Sequence, residues 1–248
     1  MSNRFDGKVA LVTGAGSGIG KAVALRLAAD GARVLAVDVV EERLSETQAV
    51  APDVIVGHVA DIADPTACAA AVDAAIAAFG RLDVLANVAG IFHAGHFTAH
   101  TPEQYRRVLA VNLDGPYFLS QAAIPYLLET SGNIVNVVSN SAIQGVPYVS
   151  AYATSKGGLL QLTRALAVEY LKQPLRVNAV APAGTRTNLA MNANFPADLD
   201  IDLVSRMGGL RGIAEPDDIA SVVAFLASDE ARAVTGAVYT VDNGLTVS

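Results

Sequence analysis

Seven short runs rich in Val, Ile and Leu recur along the chain: KVALVT, ARVLAVD, DVIVGHV, RLDVLANV, NIVNVVS, LRVNAVA and AVYTVD, with longer helix-like stretches between them. Strands that are apolar at consecutive positions must be buried on both faces, and helical spacers supply the crossovers that parallel strands need. The pattern predicts an α/β fold, a doubly wound sheet of seven mostly parallel strands with helices on both faces. Of the 248 residues, 52% are apolar and 17% charged, which suits such a sheet and excludes disorder. No linker or repeat interrupts the rhythm, so a single domain over residues 1–248 is expected.

Local signals place several helices. Thr101-Pro102-Glu103 and Glu215-Pro216-Asp217-Asp218 put proline and acids in a first turn, and Pro174 is expected to end the helix that begins near Ser150, its N-cap. Residues 185–212 break the pattern with Asn, Pro and Gly and are expected to form a substrate lid. The net charge of −7 is the wrong sign for nucleic acid. No apolar run spans a membrane and the first residues lack a signal-peptide pattern, so the expected location is cytoplasmic. The lone cysteine, Cys68, reads as a small core residue among alanines.

The first strand runs into Thr13-Gly14-Ala15-Gly16-Ser17-Gly18-Ile19-Gly20 and then a helix. Such a turn either is merely tight or lets the backbone approach a pyrophosphate resting on the helix N-terminus. Ile19 stands where the G-x-G-x-x-G spacing would need its third glycine. Asp38, ending the second strand eighteen residues after Gly20, favours the second reading. An acid there accepts hydrogen bonds from both adenosine ribose hydroxyls and repels a 2′-phosphate, and no Lys or Arg sits inside the loop, so the expected cofactor is NAD. The sheet is then Rossmann-like. Asp61 with Ile62, and Asn87 with Ala89 and Gly90, end the third and fourth strands, where they either meet the cofactor or form plain αβ turns.

Tyr152 and Lys156 are four apart and so share a helix face. An ammonium about 4 Å from a phenol, at an effective dielectric of about 20, is worth roughly 4 kcal/mol, or about three pKa units. That would bring Tyr152 near 7, where it serves as acid and base, although most surface Tyr–Lys pairs are inert. Ser139, ending the fifth strand at the same sheet edge, supplies a hydroxyl to polarise a substrate oxygen.

Taken in order, Thr13-Gly14-x-x-x-Gly18-x-Gly20, Asp61, Asn87-x-Ala89-Gly90, Asn112, Ser139, Tyr152-x-x-x-Lys156 and Pro182 with Thr187 resemble the short-chain dehydrogenase/reductase family over essentially the whole chain. The resemblance implies Tyr152 as general acid/base, Lys156 lowering its pKa and holding the nicotinamide ribose, and Ser139 steadying a developing alkoxide. It implies that Asn112 holds a proton-relaying water, and that Gly14, Ser17, Gly18, Ile19, Gly20, Asp38, Asp61, Ile62, Asn87, Ala89, Gly90, Pro182, Thr185 and Thr187 line the cofactor site. It implies hydride transfer between NAD and a secondary alcohol or ketone, no metal, and a homotetramer built on helices around 102–129 and 150–172 and the C-terminal strand. Val88, Ala142, Ala183 and Asn243 depart from the family's usual Asn or Gly, and Ala183 puts the nicotinamide site in question through a lost glycine angle.

Rival enzymes are a 3-oxoacyl-carrier-protein reductase, against which Asp38 counts because that role commonly goes with NADPH, and a cyclic dihydrodiol dehydrogenase, hinted at by Ser139-Asn140-Ser141-Ala142 and Thr185-x-Thr187. A catalytically silent dinucleotide sensor is the non-enzyme alternative, opposed by the intact Ser139, Tyr152 and Lys156. His93, His96 and His100 lack a carboxylate at metal-site spacing and read as pocket lining. The run DLDIDL at 198–203 reads as the polar face of a lid helix instead of a calcium loop. Tyr148 is expected to line the pocket, Thr154 and Ser155 to face neighbouring chain or solvent, and Ser141 either to touch substrate or to cap the turn.

Overall fold

The computed structural model describes residues 4–187, 189, 195–205, 207 and 211–247. Seven strands, β1 Val9–Thr13, β2 Arg33–Asp38, β3 Ile55–Val59, β4 Val84–Asn87, β5 Asn133–Val137, β6 Arg176–Pro182 and β7 Val238–Val241, form one sheet in the order β3-β2-β1-β4-β5-β6-β7. Every neighbouring pair is parallel. Strand order reverses between β1 and β4, and the carboxyl ends there frame a crevice.

Alternate residues of the strands serve the two faces. Ala10 and Val12 pack with Val23 and Leu27 of α1 (Gly18–Ala29) and Ile219 and Val223 of a late helix, Pro216–Ala227. Val9 and Leu11 pack on the other side with α3 (Pro65–Phe79) and α5 (Gly115–Thr130). The alanines of α3 let it lie close to the sheet, and Cys68 sits buried among them, its sulfur 3.2 Å from the Ile62 carbonyl. Burial, with Asp64 and Asp61 nearby, pushes this thiol up to about 11, so it is inert. Among the described residues no helix is long and apolar enough to cross a membrane.

Among the described residues four further helices follow, α2 (Glu41–Val50), α4 (Pro102–Leu109), α6 (Ser150–Glu169) and α7 (Ile201–Ser205), with Pro216–Ala227 as α8. Thr101 and Gln104 form the capping box that starts α4. A π-turn over Ala110–Asp114 joins α4 to α5. The helix α6 ends at Glu169, short of Pro174, because a tight turn in which Gln173 N–H bonds the Tyr170 carbonyl returns Leu175 to the core. Val149, not Ser150, is its N-cap.

Within 185–212, residues 188, 190–194, 206 and 208–210 lie outside the described residues. Of the rest, Thr185 bridges to Ala214, and α7 is opened by Asp200, whose carboxylate accepts the Asp202 N–H at 2.9 Å. The DLDIDL acids therefore serve to start a helix and, at Asp198, to pair with His96.

Candidate active site

The glycine turn is shaped by backbone crowding. Gly14 and Gly18 have φ of +67° and +52°, a region that side chains disfavour. A Cβ on Gly14 would lie 2.8 Å from the Ala89 Cα, and one on Gly20 would lie 2.0 Å from the Gly14 carbonyl oxygen. Thr13 Oγ1 accepts the Val88 and Ala89 N–H groups at 3.0 and 3.1 Å, tying β1 to the end of β4. Ser17 makes no side-chain cap on α1, whose first-turn N–H groups are thereby left for a ligand.

Asp38 stands beside this turn. Its carboxylate accepts Gly16 N–H at 2.9 Å and Val40 N–H at 3.0 Å, and an ionised carboxylate retains further acceptor sites. Arg43, on α2, lines the same end of the cavity, a cation that scanning the loop alone overlooks. Asp61 accepts Ala63 N–H at 3.0 Å and pairs with Arg107 at 2.9 Å. Burial pushes this carboxyl up, but the Ala63 bond and the Arg107 bond and charge outweigh it and hold the group below its usual range.

One cavity of about 600 Å³ runs from Asp38 to Tyr152. Its wall includes Gly14, Ser17, Gly18, Ile19, Gly20, Asp61, Ile62, Ala89 and Gly90, and, at the other end, Ser139, Tyr152, Lys156, Pro182, Thr185 and Thr187. Of the sequence-predicted site residues, Asn87 and Asn112 are not in that wall. Asn87 lies beneath the floor: its amide donates to Asn136 Oδ1 at 2.8 Å, and Asn136 donates to Thr163 Oγ1 at 2.9 Å, a buried chain from β4 through β5 to α6. Asn136→Ala strands the Asn87 amide and is expected to cost about 1–3 kcal/mol. Urea unfolding that shows no loss would mean the network is unimportant.

Asn112, on the π-turn, exchanges two hydrogen bonds with the Ile91 backbone and donates to Ser155 Oγ at 3.1 Å. It thus pins the chain after Gly90, where an added Cβ would lie 3.3 Å from Asn112 Oδ1 and 3.4 Å from Lys156 Nζ. Ser155 is fully buried, accepting from Asn112 and donating to the Tyr152 carbonyl at 2.7 Å, so it braces the site instead of facing outward.

The Tyr152–Lys156 pair departs from expectation. Lys156 Nζ donates to the Val137 carbonyl at 2.8 Å and lies 5.9 Å from the Tyr152 ring centroid. Burial pushes the phenol up, offset in part by a hydrogen bond with Ser139, and pushes Lys156 down to about 8. The expected lowering of Tyr152 toward 7 is therefore absent from the protein alone: both groups are desolvated, and the ammonium is spent on a carbonyl. Below about pH 8, Lys156 is charged folded and unfolded, and folding bears the full burial cost. Between there and its ordinary value near 10.5, the folded chain gives up the proton first, so stability rises with pH. Lys156→Met removes this dependence, and wild type should gain about 3 kcal/mol on the variant across that window in denaturant titrations. A flat difference would contradict the burial.

Ser139 is buried two residues beyond the end of β5, where it caps the turn Asn140–Ala142, donating to Asn140 Oδ1 at 3.1 Å and accepting Ser141 N–H at 3.2 Å. Phe92 packs edge-on to Tyr152 with centroids 5.0 Å apart, and Phe195 tilts against Phe92 at 6.0 Å. The three histidines of residues 93–100 do not line the cavity. His93 and His100 pair at 5.0 Å, whereas His96 meets Asp198 at 2.9 Å and the edge of Tyr148. Tyr148, at φ +64°, accepts Asp200 N–H at 2.8 Å and is likewise outside the cavity wall. Among the described residues no group of three or more His, Cys, Asp or Glu could hold a metal. Ala183 is not at positive φ, so it loses no glycine angle, and Asn243, at φ +52°, is a residue that accepts this region.

A family profile described as enoyl-(acyl carrier protein) reductase matches residues 14–246. The chain is 37% identical over 247 residues to meso-2,3-butanediol dehydrogenase of Serratia marcescens, covering 99% of this chain and 97% of that protein. It is 36% identical to cyclohexanol dehydrogenase of an Acinetobacter species, over 99% of this chain and 98% of the relative. Among solved structures, 3-ketoacyl-(acyl-carrier-protein) reductase from Brucella melitensis, complexed with NADH, superposes with a TM-score of 0.90 at 34% identity, covering 98% of this chain and 99% of the other. With that sheet order, that glycine turn and these relatives, the chain belongs to the short-chain dehydrogenase/reductase family of oxidoreductases.

Proposed function

We propose that the protein is an NAD(H)-dependent dehydrogenase that interconverts a small secondary alcohol and its ketone, with Ser139, Tyr152 and Lys156 at the reacting end of the cavity. The observation that carries this reading is the continuity of one cavity from the Asp38 carboxylate to the Tyr152 hydroxyl. The residues present fit a dinucleotide: glycines that leave no room for a Cβ, an uncapped helix N-terminus, and an acid beside the turn. When bound, the nicotinamide supplies the hydride acceptor or donor.

The chain's own groups do the rest. Tyr152 takes up or delivers the proton of the substrate oxygen, and Ser139 stabilises charge on that oxygen. Lys156 places an adjustable positive charge beneath them; a cation nearer the phenol than Lys156 now stands would draw the Tyr152 pKa down. Asn112 holds the Ile91 backbone in position and orders the proton-relaying water that serves Lys156. Asp38 selects NAD over NADP, with Asp61, Ile62, Ala89 and Gly90 along the adenosine and Pro182, Thr185 and Thr187 along the nicotinamide. Residues 185–212 cover the substrate.

A 3-oxoacyl-carrier-protein reductase remains the competing reading, because the Brucella reductase was crystallised with NADH and Asp38 therefore does not set that activity aside. Parallel titration with NADH and NADPH is expected to favour NADH by at least tenfold, about 1.4 kcal/mol. Equal affinities would assign Arg43 the dominant role at the ribose. The protein is further read as a cytoplasmic homotetramer that binds neither nucleic acid nor membrane. Val168 and Leu171, at 71% and 66% exposure near the end of α6, supply apolar surface for such contacts. Light scattering should give four times the mass of one chain, and a monomer would contradict it.

A further inference from the structure

Ser141 is the one hydroxyl at the reacting end of the cavity whose oxygen is buried without a hydrogen-bond partner among the described residues. It is 8% exposed and follows Ser139 on a short 3₁₀ turn, Asn140–Ala142. Only its N–H is used within that turn, donated to Ser139 Oγ at 3.2 Å. A buried hydroxyl with nothing to bond is destabilising, and such groups persist where a ligand completes them. Two residues apart, Ser139 and Ser141 keep their Cα atoms within about 7 Å and line the same cavity, a separation that one small molecule with two oxygens can span. The walls around them are apolar: Phe92, Val146, Val149, Leu189, Phe195 and Met207. The only charged side chain at this end among the described residues is Lys156, already bonded to the Val137 carbonyl.

We propose that Ser141 receives a second substrate oxygen, on the carbon next to the reacting one, so that the enzyme acts on uncharged vicinal diols and α-hydroxyketones with an apolar remainder. This rests on the dehydrogenase reading above. In the oxidative direction the carbinol C–H breaks and its hydride reduces NAD⁺ to NADH. The hydroxyl proton passes to the Tyr152 oxygen and on to water, and the diol becomes an α-hydroxyketone. The second oxygen keeps its bonds and exchanges a hydrogen bond with Ser141. A mono-alcohol of the same skeleton would leave that hydroxyl unpaired, which is how a built polar contact discriminates.

The test is the kcat/KM ratio for matched pairs, all stereoisomers included: 2,3-butanediol against 2-butanol, and 1,2-cyclohexanediol against cyclohexanol, with NAD and NADP, in wild type and Ser141→Ala. Wild type should prefer the diol, and Ser141→Ala should lower the diol-to-mono-alcohol ratio about tenfold. The thermal midpoint of the variant should stay level or rise, because an orphaned donor is removed; a structural cap would lower it. A ratio unchanged by Ser141→Ala, or a wild type that prefers the mono-alcohols, overturns the substrate class alone. Absence of turnover of either member of both pairs with either dinucleotide overturns the substrate class, and the dehydrogenase reading falls with it when a wider panel of secondary alcohols and ketones is also inert.

Discussion

Tyr152→Phe is expected to lower kcat for alcohol oxidation by about 10²–10⁴-fold, the range supplied by a positioned acid or base. The ring that packs against Phe92 is kept and only the hydroxyl is lost, so the fold should survive with about 0.5–1.5 kcal/mol of stability removed along with the Ser139 hydrogen bond. NADH affinity, set by the far end of the cavity, should stay close to wild type. Loss in kcat without loss of nucleotide binding is the signature of a group that acts on the reacting oxygen. Steady-state rates beside NADH fluorescence titration make the distinction, and turnover near the wild-type level would remove Tyr152 from the chemistry.

Gly20→Ala is expected to injure both fold and cofactor site. The added methyl would lie 2.0 Å from the Gly14 carbonyl oxygen and 2.4 Å from its carbon, both backbone, so relief requires moving the whole turn between β1 and α1. Overpacking of this kind costs about 1–3 kcal/mol, or about 2–6 °C in thermal midpoint for a chain of this size. The turn that moves is the one proposed to cradle the dinucleotide, so NADH affinity should fall more than tenfold. Calorimetry and titration of the same sample test both, and a variant that melts and binds like wild type would mean that the turn yields freely.

Much of the architecture is legible because burial on both faces leaves a continuous apolar signature, and six of the seven strands fall inside their predicted runs, with β6 extending one residue beyond to Pro182. The glycine turn and Asp38 are legible for a similar reason: chain geometry forbids side chains at Gly14 and Gly20. What the sequence hides depends on register and on distance. Asn87 turns away from the cavity because β4 and β5 pair it with Asn136, a match no linear pattern displays. Arg107 reaches Asp61 only once α4 lies across the end of β3. Ser155 is buried because α6 is clasped by the π-turn carrying Asn112. The four-residue spacing of Tyr152 and Lys156 puts both on one face but does not say that the Val137 carbonyl will accept the lysine's hydrogen bond.

Hydride transfer itself is the most direct test of the central claim. Purified protein is mixed with NAD or NADP and a panel of secondary alcohols, the matched diol pairs among them, and absorbance is followed at the band of the reduced nicotinamide, with Tyr152→Phe run beside wild type. The expected result is NADH formation by wild type, little or none with NADP, and a signal at least a hundredfold slower in the variant. Wild type that binds NADH yet reduces no nucleotide with any alcohol, and oxidises none with the corresponding ketones, would show a dinucleotide-binding protein without the chemistry assigned to Ser139, Tyr152 and Lys156.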